Sequence, residues 1–160
     1  MIFAQARNLS FVYDGFPKLN KYEVGEDGEV YISEKFLNTS YYRFSQEKRD
    51  IPKVPLMGAT TPSFPPFAIP PNCCKDNTNT QVWLIPGDSV ALATTDSAAV
   101  QTFDPETLVT EGLLPFQDAV KPRHNVQLSC AHPQPDPHKK AGLINLAINA
   151  LQSLHPTERI

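Results

Sequence analysis

The order of apolar and polar positions predicts short strands separated by turns. Ser10–Tyr13, Leu19–Val24 and Glu29–Leu37 are rich in β-branched and aromatic residues. The turn Gly25-Glu26-Asp27-Gly28 lies between the last two and makes them a hairpin. Further on, Gln81–Ile85 precedes the turn Pro86-Gly87-Asp88-Ser89. Val90–Thr94 then ends at Asp96-Ser97, Ala98–Phe103 ends at Asp104-Pro105-Glu106-Thr107, and Leu108–Glu111 follows. Four strands at this spacing form an antiparallel meander, the unit that makes one blade of a β-propeller. Leu113–Arg123 reads as a loop, and Asn125–Ala131 as a strand that delivers His132 to its end.

The C-terminal stretch supports two readings. Gly142–Asn149 fits a strand pairing back on Asn125–Ala131. Leu143, Leu146, Ala147, Ala150, Leu151 and Leu154 also fit a helical stripe. No internal repeat is visible, which decides little for a propeller.

Composition adds one strong feature. The chain has 160 residues and 16 prolines, about twice the average share. Seven prolines fall between Ile51 and Pro71. Proline removes a backbone donor and fixes φ, which excludes helix and central strand there. An extended connector lying on apolar surface through Phe64, Phe67 and Ile69 is one reading, and a disordered linker the other. The net charge of -3 gives no electrostatic reason to expect nucleic acid as a partner. There is no apolar run of membrane-spanning length, and the first residues lack the pattern of a secretory signal. Three cysteines, an odd number, argue against a disulfide framework and suit a reducing, cytoplasmic compartment.

Ala131-His132-Pro133 is the main candidate for chemistry. Pro133 restricts His132 to extended geometry and so fixes where its ring points. His124, His138 and His155 read as solvated. Zinc held by Cys130, His132 and His138 is conceivable, but no second paired motif supports it. Cys73-Cys74 is adjacent and has neither metal nor redox spacing. Asp96 reads by itself as a turn residue. Asp14-Gly15 and Asp76-Asn77-Thr78-Asn79 read as structural turns.

The order of these motifs resembles the carotenoid cleavage oxygenase family, nearest its β-carotene oxygenase branch. Tyr13-Asp14-Gly15, Asp76-Asn77-Thr78-Asn79, Thr95-Asp96, Phe103-Asp104-Pro105-Glu106-Thr107-Leu108 and Ala131-His132-Pro133 carry the resemblance. It implies an all-β fold, here about two to three blades of a seven-bladed propeller with long Pro-rich loops. Residues 1–150 would be this partial propeller, and residues 151–160 an atypical tail. It implies a non-haem Fe(2+) oxygenase that uses O2 to cleave a conjugated double bond of a carotenoid or apocarotenoid. His132 would be the first of four histidine ligands. Asp96, where the family has glutamate, would hold a ligating histidine by a hydrogen bond. The other three ligands come from later blades, so this chain reads as an inactive piece of a longer enzyme. For the whole protein, peripheral membrane contact is compatible with the resemblance. A non-catalytic β-domain that binds an apolar ligand or a protein partner is the alternative.

Overall fold

The computed structural model describes residues 7–11, 14–54, 58–71, 73–85, 89–96, 99–114, 128–138, 142–145 and 147–148. Twelve strands and one helix lie among them. β2 (Lys18–Val24) and β3 (Val30–Phe36) form the expected hairpin, in register from Lys18↔Phe36 to Val24↔Val30. Its turn depends on glycine at one position. Gly28 has φ +82 with open space where a Cβ would stand, so its backbone conformation, not crowding, is what a side chain would disturb there.

The blade is also present. β5 (Gln81–Leu84), β6 (Ala91–Thr94), β7 (Gln101–Phe103) and β8 (Thr110–Leu113) form one four-stranded antiparallel meander in sequence order. β6 is buried along its whole length, as expected of an apolar run in a central strand. The last strand begins two residues later than its composition suggests. Asp104 draws the chain into a turn, accepting from Glu106 N at 2.8 Å and from the Thr107 hydroxyl at 2.7 Å. Those bonds, the Thr107 bond foremost, hold the Asp104 carboxyl below its ordinary pKa. Leu108 leaves the turn at φ 56 and points into the core. That core joins the blade to the hairpin through Leu19, Leu37, Ala91, Ala93, Phe103 and Leu108.

Other expectations need correction. The segment 10–13 is not a strand where described. β1 (Asn8–Leu9) precedes it and pairs with β4 (Thr60–Thr61) inside the Pro-rich stretch. Where described, that stretch is thus a connector tied into a sheet, and Phe64 has Arg7 above its ring. Phe67 and Ile69 are exposed, so they do not lie on apolar surface. Cys73 and Cys74 are joined to each other, whereas no disulfide was expected. The pair closes only its own backbone step and staples no distant segments.

The helix α1 (Ser40–Lys48) has no counterpart in the sequence reading. Thr39 caps it by accepting from Tyr42 N at 3.1 Å. Asp76, 36 residues away, completes its start. One carboxylate oxygen accepts from Ser40 N at 2.7 Å, and the other accepts from the Ser40 hydroxyl at 2.7 Å and Tyr41 N at 3.1 Å. The neighbouring turn is tied in the same way. Asn77 and Asn79 both donate to Gly15 O, at 3.0 and 2.7 Å, and Gly58 N donates to Asp14 at 2.7 Å. The Asp-Gly and Asp-Asn-Thr-Asn motifs therefore serve structure, as read.

Tyr41 yields a pH prediction. It is fully buried, and burial first, then the nearby Asp14 charge, push its hydroxyl pKa up from 10 to about 12. The folded state thus holds this proton more tightly than the unfolded state. The stability involved is complete below about pH 10 and lost as pH rises through about 12. Tyr41→Phe should flatten this alkaline fall in a denaturation series across that window. A fall of unchanged steepness would assign it to other groups.

The C-terminal stretch forms strands, not a helix, where described. β9 (Leu128–Ser129) pairs with β12 (Ala147–Ile148), and β10 (Gln134–Pro135) with β11 (Leu143–Ile144). The turn at 86–88, the loop 115–127, His124, His155 and the tail 151–160 lie outside the described residues.

Candidate functional site

His132 stands in the bend between β9 and β10. Its neighbours Ala131 and Pro133 are buried, while His132 itself is exposed. The backbone before the ring is gripped on both polar groups. Ala131 O accepts from the buried Thr94 hydroxyl at 2.6 Å, and Ala131 N donates to Asp96 Oδ1 at 2.8 Å. From the other side, Asn145 Nδ2 donates to Cys130 O at 3.0 Å. His132 N lies 3.4 Å from Cys130 Sγ. These four contacts fix the main chain from Cys130 to His132, so little backbone freedom remains to be lost when the ring takes up a ligand.

The ring has one partner among the described residues. Its Nδ1 meets Oε1 of Gln81, the first residue of β5. Nε2 has no partner among the described residues, and His132 is exposed.

Asp96, expected to hold an imidazole, engages a main-chain N–H one residue before His132. Its reach is thus spent on the loop's backbone, and Oδ2 has no partner among the described residues. Cys130, His132 and His138 do not converge into a metal site. Among the described residues no group of three or more His, Cys, Asp or Glu side chains is placed to hold an ion. A neutral imidazole with Nδ1 engaged and Nε2 open has the right chemistry for one position on an imidazole-held metal. The described residues do not complete a set. An open groove of about 490 Å³ lies between β2, β5 with its approach, and the 103–108 turn, and Gln81, the partner of the His132 ring, is on its wall. Leu19, Val82, Leu84 and Phe103 are among its lining residues.

Sequence reasoning singled out His132 and Asp96 and did not point to Gln81 or Thr94 as contacts of this bend. Both partners lie on the blade, 51 and 37 residues before the groups they contact. No local pattern marks such pairs.

Residues 3–157 match the family described as retinal pigment epithelial membrane protein, RPE65. The chain belongs to this family, which contains the carotenoid oxygenases and retinoid isomerases and is known for its use of iron. No curated protein matches the chain. The family and the β architecture agree: one blade and several two-stranded ribbons, with no closed ring among the described residues. No helix among these residues is long and apolar enough to cross a membrane.

Proposed function

We propose that this chain carries the first ligand of a non-haem iron(II) oxygenase that cleaves a conjugated double bond of a carotenoid or apocarotenoid. The carrying observation is the Ala131-His132-Pro133 bend, clamped on its backbone with its ring exposed. In this reading His132 offers Nε2 as one of four imidazole donors. Ferrous iron held by His132 and further imidazoles would supply the open positions and the electrons that O2 chemistry needs. One carbon-carbon double bond is replaced by two carbonyls, with both oxygen atoms drawn from O2.

This chain's own residues position. Thr94 and Asp96 hold the bend against the blade edge. Asp96 Oδ2 is the atom left to accept the N–H of a second ligating histidine, the role assigned to it in this reading. The further imidazoles come from outside the described residues. The cytoplasm is the proposed compartment, with substrate drawn from a membrane by peripheral contact.

The second reading is a non-catalytic β-domain. It is favoured by the apolar side chains left in the open on the hairpin, Tyr22, Val24, Val30 and Ile32, and on the blade edge, Val82 and Leu84. Unfilled contact faces of a propeller blade would leave the same pattern.

Metal analysis and a cleavage assay separate these readings. The purified 160-residue chain, given ferrous iron and a carotenoid in detergent, should keep little iron after dialysis and form no carbonyl product. A longer form with the remaining imidazoles should do both, and lose both in His132→Ala. Stoichiometric iron on the short chain that depends on His132 would overturn the division of ligands. Full activity in the longer His132→Ala protein would overturn the ligand assignment itself.

A further inference from the structure

We infer that Gln81 is a positioning residue for His132: its side-chain carbonyl accepts Nδ1–H and so leaves Nε2 as the bare nitrogen. A neutral imidazole carries one N–H, and the partner of one nitrogen decides which atom of the ring stays free. The partner here is Gln81 Oε1, at Nδ1. An amide oxygen can only accept, so the proton sits on Nδ1.

The arrangement is built, not incidental, because a single rung of the sheet sets both halves of it. Gln81 on β5 is paired with Thr94 on β6. Thr94 is almost wholly buried, and its hydroxyl holds Ala131 O at 2.6 Å while lying 3.4 Å from Gln81 O. The Gln81↔Thr94 rung therefore fixes the main chain before His132 with one residue and the ring with the other. Asp96, two residues beyond Thr94, holds the remaining polar group of Ala131. Ring and backbone are both tied to the β5–β6 ladder.

The meaning of a free Nε2 for metal binding rests on the function proposed above, but the tautomer does not. Its test needs no metal, so the two can fail separately. The 15N-labelled 160-residue chain is examined by long-range proton–nitrogen correlation of its histidine rings. The pH is set about two units above the ordinary imidazole pKa, where rings are neutral. His132 is assigned by the signals lost in His132→Gln.

The expected result is an Nδ1–H ring at His132. Gln81→Met removes the acceptor at similar length and should shift the tautomer ratio toward Nε2–H by about fivefold, the weight of one ordinary hydrogen bond. Gln81→Lys, a donor in place of the acceptor, should shift it the same way and serves if the first variant does not fold. Gln81→Glu keeps an acceptor and should keep the Nδ1–H form, which a merely structural role would not require. An Nε2–H ring in the parent chain overturns the inference. So does a ratio unchanged in a folded Gln81→Met or Gln81→Lys chain.

Discussion

Phe103→Ala should destabilise the chain by about 3–5 kcal/mol. Phe103 is 2% exposed and lies where the blade meets the hairpin, among Leu19, Leu37, Ala91, Ala93 and Leu108. Removing its ring forfeits the transfer of that apolar surface and leaves a cavity that two sheets cannot both close. Ordinary domains are stable by about 5–15 kcal/mol, so this loss takes a large share of the total. The blade's Trp83, the only tryptophan of the chain, reports unfolding by fluorescence. The urea midpoint should fall well below that of the parent chain with little change of slope. Phe67→Ala is the control, since Phe67 is 84% exposed and its loss should stay within about 0.5 kcal/mol. A Phe103→Ala chain within about 1 kcal/mol of the parent would mean that the hairpin and blade do not share this core.

Asp76→Ala should cost about 3 kcal/mol and release helix α1 first. The carboxylate accepts three hydrogen bonds at the helix start, and it sits at the positive end of the helix dipole. Alanine would leave two backbone N–H groups and the Ser40 hydroxyl without that acceptor. The consequence spreads, because Ser40 Oγ also accepts from Cys74 N at 2.9 Å. Asp76→Asn keeps one acceptor oxygen but turns an amide N–H toward groups that themselves donate, so it should recover about half of the loss. Far-ultraviolet circular dichroism during denaturation is the measurement. The helical signal should melt before Trp83 fluorescence changes in Asp76→Ala, and together with it in the parent. Coincident melting at unchanged stability in Asp76→Ala would remove Asp76 from its capping role.

Local chemistry was readable in the sequence, and distant pairing was not. The hairpin was legible because glycines bracket its turn and β-branched and aromatic residues fill its strands. The blade was legible because Asp104 and its neighbours make a turn by themselves. β8 was placed too early because Leu108 looks like a strand residue, yet it serves the core from a left-handed backbone position. Helix α1 was missed because Tyr41, Tyr42 and Phe44 favour strands on composition, while two of the three side-chain-capped N–H groups at its start are held by the distant Asp76. The bend at His132 was legible through Pro133 and the strand before it. Gln81 and Thr94 were not, since only the β5–β6 ladder brings them beside the His132 loop.

The grip on Ala131 also sets an order of events in folding. Asp96 and Thr94 meet it across 35 and 37 residues of chain. Closing loops of that length costs entropy before any contact repays it, so such contacts form behind the local turns. The hairpin and the meander can close by neighbouring residues alone. The orientation of His132 must wait for a finished sheet edge. A chain still emerging from the ribosome therefore carries this imidazole as an ordinary, freely rotating side chain, and acquires a directed nitrogen only at the end.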